Sequence, residues 1–228
     1  DTELVMNMPR KLTAWSGIDA LTHALEAYVS VLATEFTNPY ALEAIRLLFK
    51  YLPQAYKEGA ANQKAREKVH YAANLAGIAF ANAFLGICHS MAHKLGAAFH
   101  IPHGLANALL ISEVIRYNAT DAPRKQATFP QYKYPNAVER YAKIAKYLGM
   151  EGKSNEEGVN NLINAIETLK KELNIPASIK EAGVNEKTFY QELDHMSERA
   201  FDDQCTTANP RYPSIAEIKD LYLNTYNT

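Results

Sequence analysis

Cysteine is scarce in this chain: two residues, Cys88 and Cys205, among 228. They form no C-x-x-C pair, which argues against a zinc ribbon or a disulfide framework and fits a reducing cytosol, although sequence alone does not forbid a bond between the two. An excess of charge of one sign is also lacking. The 24 Lys and Arg are balanced by 25 Asp and Glu, interspersed, for a net charge of −1, so there is no electrostatic footprint for nucleic acid or anionic lipid. No apolar run reaches the roughly 18 residues of a membrane span, and no signal peptide opens the sequence. H-E-x-x-H, G-x-S-x-G, the P-loop and a G-x-G-x-x-G after a strand pattern are all missing, which removes a zincin, an α/β-hydrolase, a P-loop NTPase and a recognisable dinucleotide fold. Small-molecule chemistry in the cytoplasm, with no membrane or nucleic-acid partner, is the class left standing.

What the chain does have is helical periodicity almost throughout. After Ser16, read as an N-cap, Ile18, Leu21, Leu25, Tyr28, Val29 and Leu32 recur as one buried helical face requires. Residues 38–52 open with Asn38 as N-cap and Pro39 at the first helical position, where a missing N–H costs nothing. Residues 62–84 are rich in small residues (Ala72, Ala73, Ala76, Gly77, Ala79, Ala81), which suits a central helix that its neighbours approach closely. Further helices are expected over 103–118, 135–149, 156–174, 185–201 and 214–226, with Ser154 and Glu157 spaced as a capping box. The polar stretch 118–134, with Pro123 and Pro130, reads as a long surface connection. Eight or nine helices and no strand series make this an all-α, multi-helix bundle, taken as one domain over residues 1–228.

Four of the seven histidines, His89, His93, His100 and His103, fall within "GICHSMAHKLGAAFHIPHG", residues 86–104. His89 and His93 share a helical face at i, i+4. His103 would lie about 21 Å from His89 along a continuous helix, so it joins them only if the chain turns back. Pro102 supplies that break and leaves His103 and Gly104 to start a new helix. A second pair, Asp19 and His23 in "GIDALTH", projects from one face of the first helix, and a carboxylate on a buried face wants a partner. Three imidazoles and one carboxylate suit Fe(II), Zn(II), Mn(II) or Co(II) better than Cu(I). Spacing alone leaves open whether His93 is a ligand. His70, His100 and His195 read as ordinary packed or exposed residues, Cys88 as core, and Phe80, Phe84 and Phe99 as core first and pocket wall second.

These stretches, "SGIDALTHALEAY" with "GICHSMAHKLGAAFHIPHGLANALLI", resemble the metal-binding, all-helical C-terminal domain of the iron-dependent, group III alcohol dehydrogenases, a dehydroquinate synthase-like fold. "FDDQCTTANPRYPSIAEIKDLYLNTY" is similar to the alcohol dehydrogenase half of the bifunctional aldehyde-alcohol dehydrogenases of fermentative bacteria. The resemblance implies metal ligands Asp19, His23, His89 and His103, holding Fe(II) with Zn(II) as the alternative. It implies that His93 lies by the nicotinamide and acts in catalysis and cofactor binding, and that NAD is bound mainly by an N-terminal α/β half which this sequence does not include. The implied activity is interconversion of a primary alcohol and its aldehyde, ethanol and acetaldehyde first, by a homo-oligomer or filament, with the fragment inactive without its other half. The rival expectations are a zinc polyol dehydrogenase-like enzyme and a helical assembly module with no activity of its own.

Overall fold

The computed structural model describes residues 1–120 and 136–227, and among these it holds nine α-helices and no strand. They are α1 (Arg10–Val29), α2 (Asn38–Glu58), α3 (Gln63–Ala83), α4 (Ile87–Phe99), α5 (His103–Asn118), α6 (Ala137–Tyr147), α7 (Asn155–Glu172), α8 (Glu186–Phe201) and α9 (Ile215–Asn227). No single described helix is long and apolar enough to cross a membrane.

α1 is the central helix. It packs on α2 and α3 on one side and on α5 on the other, while α4 lies on α5 and α8, α9 closes against α5 and α8, and α6 pairs with α7. The sequence explains this position: α1 buries Ala14, Ile18, Ala20, Leu21, Ala24, Leu25, Ala27 and Val29, positions that circle the helix rather than forming a stripe, and a helix apolar all round must be enclosed. The central place expected for α3 is therefore not observed. Its buried alanines, Ala72, Ala76, Ala79 and Ala83, form one narrow row at steps of three and four, whereas Ala73, Ala81, Tyr71 and Ile78 face outward.

Helix ends also differ from expectation in instructive ways. α1 begins at Arg10, directly after Pro9, and Ser16 lies inside it with its hydroxyl donating to the Leu12 carbonyl at 2.7 Å. A serine satisfied within the helix need not mark its start. Leu32 lies beyond the end of α1 and is partly exposed. Asn38 is already helical, with Thr37 in the cap position, and α2 continues through Pro53 to Glu58. The capping box at α7 forms as expected on one side, Ser154 Oγ accepting from Glu157 N–H at 3.2 Å; the Glu157 carboxylate accepts from Lys153 N–H at 2.7 Å. Most of the connection expected over 118–134 lies outside the described residues, and α5 runs to Asn118. Both cysteines are buried and free, so no disulfide joins them.

The turn between α4 and α5 brings two ends of the histidine-rich stretch together. α4 stops at His100, which adopts the left-handed conformation (φ 55°, ψ 31°), and Pro102 (φ −54°, ψ 137°) leads into α5 at His103. A non-glycine residue held there costs on the order of 1 kcal/mol, offset by the packing of the two helices. Gly104 completes the geometry: a Cβ at this position would lie 2.2 Å from the Trp15 carbonyl oxygen and 3.2 Å from Asp19 Cβ. Glycine lets the first turn of α5 rest on the backbone of α1, which carries His103 to Asp19.

Candidate metal centre

Three helices converge on one set of donors. Asp19 and His23 come from the middle of α1, His89 from the first turn of α4 and His103 from the first residue of α5. Donor atoms of Asp19, His89 and His103 all lie within 4.8 Å of one another. Asp19 Oδ1 is 3.3 Å from His103 Nε2 and 3.6 Å from His89 Nε2, and Asp19 Oδ2 is 3.7 Å from His23 Nδ1. His23 sits beside the trio, its ring 4.3 Å from that of His89 and stacked at 4.5 Å on Phe80. Of the three phenylalanines singled out in the sequence, Phe80 is the one with a ring contact to these histidines; Phe99 packs toward Phe189.

The floor of the cluster is buried and ordered by Glu26, a residue outside both i, i+4 pairs. His89 is 1% exposed and Glu26 is 2% exposed, and Glu26 Oε2 meets His89 Nδ1 at 2.5 Å while Oε1 accepts from Cys88 N–H at 2.7 Å. A carboxylate on Nδ1 leaves Nε2 to face the cluster. That atom is buried and has no hydrogen-bond partner among the described residues. An orphaned imidazole nitrogen, ringed by a carboxylate and two further imidazoles, fits a divalent ion. Two donors each about 2 Å from one ion lie roughly 3 to 3.5 Å apart, close to the separations observed. Asn107, one turn after His103, donates to Asp19 Oδ1 at 2.8 Å.

The electrostatics have the same sense. Burial pushes His23 down to about 4, helped by repulsion from His89, and burial followed by the neighbouring His89 and His93 lowers His103. Burial would lower His89 too, but Glu26 and Asp19 outweigh it and raise it to about 9. Burial raises the Asp19 carboxyl, and the three imidazoles bring it net below its usual value. Of the three imidazoles, His89 is thus the one whose charged form the surroundings favour, while burial disfavours it on His23 and His103.

His93 lies one turn beyond His89, at the rim, 37% exposed on its side chain. Its ring is 5.4 Å from that of His103, yet its Nδ1 is turned to Asp203 Oδ2 at 3.1 Å. Lys94 Nζ reaches the same oxygen at 2.7 Å. Burial opposes the charge on Asp203, but Lys94, the Cys205 N–H and His93 bring it down to about 2. The remaining histidines lie apart: His195 is exposed beside Glu192, His100 is the exposed residue that ends α4, and His70 lines a separate groove of about 1020 Å³ between α2, α3 and the N-terminal segment. In that groove Arg46 is held by Glu43 through two hydrogen bonds.

A signal for Glu26 was present in the sequence: a glutamate three residues after His23 within an otherwise apolar run. Asn107 stands at i+4 from His103. Asp203, 110 residues from His93, lay in a stretch that carried the resemblance, but no spacing tied it to His93.

Comparison with known proteins points to one family. The profile described as "Fe-containing alcohol dehydrogenase family, C-terminal" matches residues 13–226. The aldehyde-alcohol dehydrogenase of Clostridium acetobutylicum is 62% identical over 226 residues, covering 99% of this chain and 26% of that protein. The bifunctional aldehyde-alcohol dehydrogenase of Escherichia coli K12 is 60% identical over 228 residues, with 99% and 26% covered. A crystal structure of a 1,3-propanediol oxidoreductase superposes with a TM-score of 0.86 at 37% identity, over 99% of this chain and 55% of that one. The chain thus spans about a quarter of the length of the first two relatives.

Proposed function

This chain belongs to the Fe-containing alcohol dehydrogenase family, as its C-terminal part, and from that premise we propose that it is the metal-holding half of an NAD-linked oxidoreductase. In this reading residues 1–228 act as one helical catalytic domain that, with a cofactor-binding half, interconverts a primary alcohol and its aldehyde, ethanol and acetaldehyde first. The observation that carries the proposal is the orphaned Nε2 of His89 beside Asp19 and His103, with the His23 ring adjoining.

Asp19, His23, His89 and His103 would hold Fe(II), with Zn(II) as the alternative. A divalent ion bound there supplies Lewis acidity to the substrate oxygen, favouring alkoxide over alcohol. The residues of the chain do the rest. Glu26 fixes the orientation of His89, and Asn107 steadies the Asp19 carboxylate. Phe80, stacked on His23, shields that side of the cluster from water. His93, outside the donor set but on the same helix, faces the open rim, where it can hold the nicotinamide ribose or pass the alcohol proton toward solvent.

Elemental analysis after dialysis tests the reading. The protein is expected to retain one equivalent of divalent metal and His103→Ala to lose most of it. Stoichiometric metal in His103→Ala would overturn the four-ligand set, and a wild type that purifies without metal would favour a helical scaffold. His93→Ala in the complete enzyme should keep its metal and lose turnover.

A further inference from the structure

Four residues of α4 are fastened to the segment that follows α8. Ile87 N–H donates to Asn209 Oδ1 at 3.2 Å, the Ser90 and Thr206 hydroxyls share a hydrogen bond of 2.8 Å, and Asp203 holds His93 and Lys94. Thr206 is itself anchored to the Ala200 carbonyl, and Tyr222 from α9 reaches the Met91 carbonyl at 2.7 Å. The segment is a bracket laid along α4, and Asp203 is the residue through which it holds a histidine.

Asp203 is itself closely held. Its Oδ1 accepts from the Cys205 N–H at 3.0 Å, at the start of the short 3-10 turn Gln204–Ala208, and its Oδ2 takes Lys94 Nζ and His93 Nδ1. Its side chain is 9% exposed. With an ammonium at 2.7 Å the carboxylate stays ionised, and an ionised carboxylate only accepts hydrogen bonds. The proton between it and His93 must then sit on Nδ1.

We propose that Asp203 is a positioning residue for His93: held by Lys94 and the Cys205 N–H, it fixes His93 in the Nδ1–H tautomer and reserves Nε2 for the cofactor or substrate. The same three residues, His93, Asp203 and Cys205, bring their donor atoms within 4.8 Å of one another and resemble a second metal site. Lys94 argues against that use, since its ammonium already neutralises the carboxylate, and burial with the nearby Asp203 pushes the Cys205 thiol up, away from the thiolate that a metal requires. A carboxylate that fixes the tautomer of a working imidazole is the arrangement that the geometry leaves. The inference rests on the reading of His93 as the group facing cofactor and substrate.

Long-range proton–nitrogen spectra of the zinc-loaded protein, taken where His93 is neutral, test it directly. The wild type should show the Nδ1–H tautomer, and the isosteric Asp203→Asn, whose amide can also donate, should shift His93 toward Nε2–H. In the complete enzyme Asp203→Ala should lower kcat by about ten- to a hundredfold, with metal content unchanged and the alcohol KM within about twofold, and Asp203→Glu should restore part of the loss. An unchanged tautomer in Asp203→Asn would overturn the proposal, as would wild-type kcat in Asp203→Ala. If His93→Ala keeps wild-type turnover, the reading of His93 falls instead, while the spectra still report whether Asp203 sets its tautomer.

Discussion

Two histidines one turn apart on α4 each lean on a carboxylate from another part of the chain, and the surroundings of the two pairs differ. His89 and Glu26 are 1% and 2% exposed, and their ion pairs among the described residues run to each other and to Asp19 rather than to a lysine or arginine. His93 and Asp203 are 37% and 9% exposed, and Lys94 already balances the carboxylate. In both pairs the second carboxylate oxygen accepts a backbone N–H, from Cys88 at the start of α4 or from Cys205 at the start of a short turn, where anionic charge is favoured. What differs is water. At the floor the countercharge to Glu26 is the His89 proton or, in the proposed function, an ion bound beyond it. At the rim Lys94 and solvent carry the charge, which in the proposed function leaves His93 free to face cofactor and substrate.

The largest expected effect comes from breaking the buried pair. Glu26→Ala removes one partner of a buried pair and leaves the other uncompensated, for which about 3 to 5 kcal/mol of stability is expected to be lost. Glu26→Gln, which keeps the shape, should fold and bind metal about ten- to a hundredfold more weakly. Denaturant titration and competition with a chelator measure the two. If metal affinity is unchanged in Glu26→Gln, the floor carboxylate is structural only.

A smaller effect sharpens the same contrast through pH. His89, raised from 6.5 to about 9, stabilises the metal-free fold fully below pH 6.5, and that contribution is lost as pH rises through about 9. A metal ion must displace the same proton. Metal affinity should therefore rise about tenfold per pH unit up to about 9 and then level off, and the gain in melting temperature on adding metal should widen over the same range. A gain that is flat in pH would show that His89 carries no proton in the metal-free protein.

At the rim, Lys94→Ala is expected to cost no more than about 1 kcal/mol, as partly exposed ion pairs do, and to leave metal content unaltered. Loss of metal in that variant would erase the distinction between floor and rim. His70→Ala, in the separate groove, should change neither stability nor metal content measurably.

Much of this molecule is legible one helix at a time. The apolar periodicity, the i, i+4 pairs Asp19/His23 and His89/His93, and the break at Pro102 are local properties, because helix geometry alone decides which residues share a face and where a helix stops. The family resemblance rests on the same stretches and on residues 201–226. Tertiary structure decided the rest. That α1 rather than α3 is enclosed depends on what the opposite sides of each helix meet, and small residues alone do not say whether anything approaches them. That Glu26 backs His89 was half visible as a charge in an apolar run, but its partner lay 63 residues away. Asp203 lay in a stretch that carried the resemblance, but no spacing tied it to His93; it came there because α8 and the turn after it pack along α4. Local spacing assigned the donors to helices; the close approach at Gly104 and the bracket along α4 gathered them into one site, because contacts across the chain are set by how whole helices pack.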